Sequence, residues 1–162
     1  MALVKPLVLS NSGQLQLLQS GDTLNAAVLE ADAIALTNST TGSVVFGRAV
    51  YVSASNAFSL AMANANGTKG VIGLVKDNTV AANAVGNVQT DGALTGTTAQ
   101  WDVVAGTVGG LTPGATYYLS PTTAGGITAT PPSATGQYLV PIGVALSATA
   151  LDIRDAIFDV LL

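Results

Sequence analysis

The stretch GGLTPGATYYLSPTTAGGITATPPSATGQYLVPIGVALS, residues 109–147, decides the fold class. It contains three strand-like pieces at residues 116–120, 126–129 and 138–147, separated by segments rich in Gly, Pro, Ser and Thr. In the third piece large apolar residues alternate with small ones, which predicts a β-strand with one inward face. That face consists of Tyr138, Val140, Ile142, Val144 and Leu146. Pro141 cannot donate a ladder hydrogen bond, so we expect an edge strand or a bulge there.

The composition indicates a folded protein with very few surface charges. Charged residues make up 9% of the 162 residues, whereas about 25% is usual. Apolar residues make up 49% of the chain, which is enough to bury a core and excludes a disordered chain. A surface so poor in charge is difficult to keep soluble as a monomer. We therefore expect a homo-oligomer or a protomer covered by a partner.

The charge distribution argues against nucleic-acid binding. The net charge is −4, and the basic residues are scattered at Lys5, Arg48, Lys69, Lys76 and Arg154. Nucleic-acid binding needs clustered Lys and Arg to displace counterions. No segment approaches the roughly 18 apolar residues of a membrane span, and residues 7–9 are too short for the apolar core of a signal peptide. We expect a soluble, unprocessed protein that binds neither membrane nor nucleic acid.

The chain divides into an N-terminal arm, residues 1–32, and a β domain, residues 33–162. Pro6 favours an extended start, residues 14–17 alternate like a strand, and Thr23 could cap a short helix over residues 23–33. Apolar alternation without a local partner predicts an arm that lies on another protein. An ordinary first hairpin of the same domain is the alternative.

Two apolar runs around Asn66-Gly67 predict a hairpin. Residues 57–63 alternate Phe58, Leu60 and Met62 with small residues, and residues 69–76 form the second run. Asn-Gly is the favoured dipeptide of type I′ turns, whose two central residues need positive φ. We therefore expect these two runs to pair with each other.

Further strands are predicted at residues 43–53, 86–90, 99–105 and 151–162. The last segment is ambiguous, because its apolar residues also share one helical face. We favour a strand there, since Asp155 and Asp159 alternate with Ile157.

Two parts of the chain resemble each other. Residues 47–53 are similar to residues 114–120, since each begins with a glycine that is followed by RAVYVS in the first part and ATYYLS in the second. Each part is followed by a strand around Phe58 or Ile127, and then by VIGL or PIGV around Gly73 or Gly143. Chance similarity between β sequences is one explanation. The other, which we adopt, is an all-β fold in which two related three-strand units close one small barrel or sandwich. The matching glycines then mark bends or close backbone approaches.

The residue inventory excludes several classes of enzyme. The chain has no His and no Cys, which removes Ser-His-Asp triads, Cys-His dyads and histidine zinc sites. Carboxylates remain in two groups, Asp22, Glu30 and Asp32, and Asp152, Asp155 and Asp159. The second group lacks the spacing of a calcium-binding EF-hand loop. We interpret these residues as solvated surface acids, with Asp155 paired to Arg154.

Four other motifs receive structural interpretations. On a strand, Trp101 and Asp102 would point to opposite faces, Trp101 into the core and Asp102 into solvent. The glycines of residues 106–110 lack the Lys of a phosphate loop. The triplets starting at Asn38 and Asn66 are interpreted as turns, and one ring of Tyr117-Tyr118 as core. We predict no catalytic, cofactor-binding or metal site.

Two segments resemble structural proteins of tailed bacteriophages. Residues 5–9, KPLVL, with residues 13–24, GQLQLLQSGDTL, resemble openings of head-decoration and fibre proteins. Residues 110–120, GLTPGATYYLS, followed by GIT at 126–128 and PIGVA at 141–145, are similar to a recurring β motif of such proteins.

The resemblance implies a non-enzymatic virion protein. A short arm and one compact domain favour a capsid decoration (cement) protein, made in the host cytoplasm, that binds the major capsid protein on the head surface as an oligomer, with a trimer favoured. By analogy, its arm would lie across neighbouring capsomers by strand addition. A small tail or head-fibre component that binds host glycan or another fibre is the alternative. A polysaccharide depolymerase using two Asp residues, such as Asp102 and Asp152, is a third hypothesis, disfavoured by the scarcity of aromatic residues.

Overall fold

A computed structural model describes residues 7–9, 15–17, 33–154 and 160–162. The chain divides into two compact units, Met1–Glu30 and Ala31–Leu162. In the first unit β1 (Leu7–Leu9) pairs antiparallel with β2 (Leu15–Leu17), and Leu7 lies opposite Leu17. The helix considered for residues 23–33 lies outside the described residues except at Ala33, which begins a strand.

The second unit is mostly β, as the sequence predicted. Its strands are β3 (Ala33–Asn38), β4 (Val44–Val45), β5 (Ala49–Ala54), β6 (Ala57–Leu60), β7 (Val71–Val75), β8 (Thr79–Val80), β9 (Val85–Gln89), β10 (Gly92–Thr95), β11 (Thr116–Leu119), β12 (Ile127–Thr128), β13 (Tyr138–Leu139), β14 (Pro141–Ser147), β15 (Ala150–Ile153) and β16 (Val160–Leu161). Helix α1 (Thr98–Ala105) lies between β10 and β11.

The first half of this unit forms a closed barrel of five strands in the order β3-β6-β5-β7-β9. Neighbouring strands are antiparallel except β3 and β6, which pair in parallel through Thr37 with Ala57 and Asn38 with Phe58. Closure removes the unpaired strand edges that would otherwise be open to aggregation. The predicted all-β fold with a barrel is confirmed, but the first half closes the barrel alone and not together with the second half.

The second half repeats the same topology in an open sheet. Its order is β10-β15-β14-β11-β12, and these strands match β3, β9, β7, β5 and β6 in chain order and in pairing direction. The related units are thus larger than the three strands that we predicted. They contain five strands each. The first and last strand of each unit were not predicted as part of the repeat because they carry too little sequence similarity.

The two halves also share their strand registers. Val52 pairs with Phe58 as Leu119 pairs with Ile127. Val50 lies opposite Gly73 as Tyr117 lies opposite Gly143. In both halves the register then slips by one residue, which leaves Ile72 and Ile142 as the extra residues of two equivalent bulges. The strand containing Pro141 is therefore central and bulged, the second of the two arrangements that we expected.

The two bulge glycines are required by close backbone contact, as the repeat predicted. A Cβ added to Gly73 would lie 2.2 Å from the carbonyl oxygen of Gln89. A Cβ added to Gly143 would lie 2.1 Å from the carbonyl oxygen of Asp152. Both distances are far below van der Waals contact, so only glycine lets the next strand approach at these points.

Helix α1 replaces the strand predicted at residues 99–105, and this prediction was wrong. Local capping explains the helix. The Thr97 hydroxyl accepts from the Gln100 amide at 3.2 Å, and the Gln100 side chain accepts from the Thr97 amide at 2.7 Å. Gly106 ends the helix in the left-handed region at φ 65°. The helix contacts β12 of the second sheet.

The buried side chains form two clusters. The larger one spans both halves and includes Phe46, Leu74, Trp101, Tyr117 and Leu119. The smaller one fills the barrel and includes Leu36, Val50, Phe58, Val75 and Val88. Because the larger cluster draws residues from both repeats, the repeats share one core and form a single folding unit.

The predicted hairpin between residues 57–63 and 69–76 was wrong. β6 and β7 do not pair with each other, since β5 lies between them and pairs with both. Ala63 is held by the second half, where its amide donates to Ser120 and its carbonyl accepts from Tyr138. Neither Asn66 nor Gly67 adopts the positive φ of a type I′ turn.

The inward face predicted for residues 138–147 is correct only up to the bulge. Val140 and Ile142 are buried, but beyond the bulge Ala145 is buried and Leu146 is 58% exposed. One extra residue reverses the faces of a strand. In the C-terminal segment the described residues form strands β15 and β16, whereas residues 155–159 lie outside the described residues.

Candidate interaction surfaces

Trp101 belongs to the core and does not form a sugar-binding platform. Its ring is fully buried and meets Phe46 edge to face, with the ring centroids 5.3 Å apart. Its indole N–H donates to the carbonyl of Thr149 at 2.9 Å. The burial predicted for Trp101 is confirmed, although it occurs on a helix and not on a strand.

Asp102 holds the loop that follows α1. Its carboxylate accepts hydrogen bonds from the amides of Gly110 at 2.7 Å and Gly109 at 3.1 Å, and from the hydroxyl of Thr107 at 3.1 Å. The Gly110 amide has the largest effect and holds the pKa of Asp102 below its ordinary value of 3.8. Burial opposes it as the next largest effect, and the Gly109 amide and the Thr107 hydroxyl lower the pKa further. Asp102 is partly exposed, as predicted, but its carboxylate also closes the loop after α1, which the sequence did not predict.

The glycine-rich residues 106–110 are a loop closed by this side chain. The amides of Gly109 and Gly110 point at the Asp102 carboxylate, so the chain's own anion occupies the position that a phosphate would take in an amide nest. The loop displays one large apolar side chain outward, that of Val108, which is 100% exposed. We call residues 106–110 the Val108 loop.

The remaining described acids form no cluster. Arg154 pairs with Asp152 at 3.3 Å, whereas its predicted partner, Asp155, lies outside the described residues, as do Asp159 and the group around Glu30. Within the described ranges, no group of three acids is arranged to hold a metal ion. An exposed pair of this kind contributes little stability.

The tyrosines and asparagines singled out in the sequence have structural roles. Tyr117 is buried and its hydroxyl accepts from the amide of Thr112 at 3.0 Å, so one ring of the Tyr117-Tyr118 pair is core, as predicted. The Asn38 side chain is fully buried. It donates to the carbonyls of Gly42, Val80 and Ala81 and accepts from Thr40.

Among the described residues of the second unit, we consider two concave features. A cavity of about 10 Å³ lies where the two bulges meet, between Ile72, Gly73 and Ile142. A cavity of this size is at the lower limit for holding one water molecule. A second, much larger hollow has a volume of about 260 Å³. Its lining residues are Val45, Phe46, Asn78, Ala99, Gln100 and Val103. We call this feature the apolar hollow.

The apolar hollow is open to solvent, and its lining contains no charged residue. Gln100 donates to the side chain of Asn78 at 2.9 Å, which ties α1 to the barrel. Val103, which lines the hollow, is 59% exposed, and Arg48 donates to its carbonyl at 3.5 Å. Sequence reasoning missed this site because it assigned residues 99–105 to a strand. The capping residues Thr97, Gln100 and Gly106 were the signal that could have found it.

Comparison with protein-family models, curated proteins and solved structures found no match. Over the ranges that the structure describes, no helix has the length and apolarity needed to cross a membrane.

Proposed function

We propose that the protein is a non-enzymatic decoration protein of a tailed-bacteriophage capsid. In this proposal it binds the major capsid protein on the outer surface of the head as a homo-oligomer, with a trimer favoured, and stabilises the shell against internal DNA pressure. It is made in the host cytoplasm and resides in the virion. The resemblance to phage structural proteins that motivates this assignment lies in residues 5–9, 13–24, 110–120, 126–128 and 141–145.

The observation that carries the proposal is a surface suited to association. Large apolar side chains are exposed on the described residues, among them Val52, Val103, Val108 and Leu146. Few charges accompany them, since the charged residues of 33–154 are Arg48, Lys69, Lys76, Asp77, Asp91, Asp102, Asp152 and Arg154. Covering such a surface releases water from apolar groups and desolvates few charges.

The repeated architecture supports a structural role. Two five-stranded sheets of equal topology share one core, which gives a stiff protomer whose binding surfaces keep their relative positions. A rigid protomer loses little conformational freedom when it binds. Many copies on one lattice then add weak contacts into strong overall attachment.

The test is to locate the protein on phage particles by cryo-electron microscopy. We expect density on the outer surface of the head, at repeated lattice positions. Particles that lack the protein should lose their DNA at a lower temperature than complete particles. Density restricted to the tail would reject the proposal and would favour the small fibre component.

A further inference from the structure

We infer that the apolar hollow of one copy receives Val108 from a second copy of this chain. The contact joins two different surfaces of the same molecule, so it is a head-to-tail contact that closes into a ring when the rotation allows. It supplies the self-association in the proposed function but does not depend on the capsid. Its test therefore uses the purified protein alone.

The Val108 loop holds its valine side chain in an exposed position. A fully exposed apolar side chain on a mobile loop would lose conformational freedom on binding, whereas this loop is fixed in advance. Three hydrogen bonds to the Asp102 carboxylate, from Thr107, Gly109 and Gly110, hold the residues on both sides of Val108. Preorganisation of this kind lowers the entropic cost of association.

The apolar hollow has matching chemistry. Its lining consists of apolar side chains with a single amide pair, Asn78 and Gln100, which hydrogen-bond to each other. Entry of a valine therefore leaves that hydrogen bond intact. At about 260 Å³ the hollow has room for one aliphatic side chain and part of its backbone. The side chains that carry most of the binding energy of an interface sit in well-packed pockets from which water is excluded.

The charges beside the two surfaces are complementary. Asp102 lies at the base of the Val108 loop, and its hydrogen bonds keep it ionised. Arg48 lies beside Val103 at the hollow, where its guanidinium donates to the carbonyls of Ala124 and Val103. Seating Val108 in the hollow brings the anion of one copy toward the cation of the next. This attraction fixes the orientation of the contact.

The first experiment is sedimentation velocity on the full-length protein over a range of concentrations. We expect Val108→Asn to weaken self-association at least about tenfold, the factor expected for one buried valine. The matched control is Val85→Asn, since Val85 is also a well-exposed valine, at 67%, and lies outside the hollow. It should sediment like the wild type. A monomeric wild type, or a Val108→Asn variant that associates normally, would overturn the inference.

The second experiment identifies the partner surface by disulfide trapping. The chain contains no cysteine, so the variants Val108→Cys and Ala99→Cys each carry a single thiol, and both replaced side chains are exposed. A mixture of the two proteins should form a mixed disulfide between copies on mild oxidation. A mixture of Val108→Cys with Val85→Cys should form much less. Equal trapping in both mixtures, or Val108–Val108 disulfides as the main product, would refute the pairing with the hollow.

The two proposals can fail separately. If the ring forms in solution but no protein is found on phage heads, the capsid assignment is wrong and the self-association stands. If head density is found and Val108→Asn protein forms the same oligomer, the capsid assignment stands and another surface makes the oligomer.

Discussion

Single side chains in this protein hold together segments that no regular secondary structure joins. Asn38 joins three carbonyls and one neighbouring turn inside the barrel, and Asp102 fixes the loop after α1. The sequence identifies Asn38 and Asp102 as candidate polar residues but does not predict their hydrogen-bond partners. Those partners are distant in the chain or lie on a loop whose path the sequence does not predict. The sequence therefore predicts a solvated Asp102 but not the hydrogen bonds by which it closes the loop.

The hydrogen bonds to the Asp102 carboxylate predict a pH-dependent difference in stability between the wild type and Asp102→Asn. The folded pKa of Asp102 is lower than its ordinary value of 3.8, so its carboxylate stabilises the fold above that value. This contribution is lost as the pH falls through the folded pKa. We expect the variant to be less stable than the wild type near neutral pH and the difference to shrink in strong acid, as measured by urea midpoints. A pH-independent difference would show that the charge of Asp102 is not what holds the loop.

Gly143 provides a second test at the scale of one residue. Gly143→Ala places a methyl group against the carbonyl of Asp152 on the neighbouring strand, and overpacking of this kind costs about 1–3 kcal/mol. Gly42→Ala is the matched control, because no atom lies within 4 Å of its added Cβ. Urea denaturation should show a lower free energy of unfolding for Gly143→Ala only. Equal stability of the two variants would mean that β15 can move away from β14 at little cost.

At the scale of elements, the sequence predicts where most strands lie but not which strands pair with each other. Strand positions follow from alternation, and the similarity of residues 47–53 to residues 114–120 placed Gly73 and Gly143 at equivalent positions of the repeat. Pairing depends on contacts between distant residues, such as those that hold Ala63 to the second half, and no local pattern encodes them. The face reversal beyond Ile142 has the same origin, since a bulge is set by the partner strand.

The alternation of apolar residues predicts a strand at residues 99–105, whereas the capping residues favour helix α1. The contribution of the N-cap to stability can be tested. Thr97→Ala removes the hydroxyl that accepts from the Gln100 amide, and loss of an N-cap costs about 0.5–2 kcal/mol. Thr97→Ser keeps the hydroxyl and should stay close to the wild type. The emission of Trp101, the single tryptophan, reports unfolding of both variants. If Thr97→Ser loses as much stability as Thr97→Ala, packing of the threonine methyl group and not the cap stabilises this turn.

At the scale of the whole molecule, the two units are assigned different tasks. The described clusters of buried side chains consist of residues between Leu36 and Ile153, so the core that these clusters form lies in the second unit. The strands β1 and β2 pair with each other within Met1–Glu30. On this division the first unit serves attachment in the proposed function, and the second serves folding and self-association.

Deletion of residues 1–20 separates these tasks. We expect the truncated protein to keep a cooperative thermal transition and the wild-type oligomer, because the core, the apolar hollow and the Val108 loop are all retained. In the proposed function it should fail to bind phage heads in a co-sedimentation assay. A Val108→Asn protein, by contrast, keeps the first unit and should bind heads more weakly, since it loses the multivalency of the oligomer. Loss of folding on truncation would place the first unit in the core, and normal head binding would assign attachment to the β domain itself.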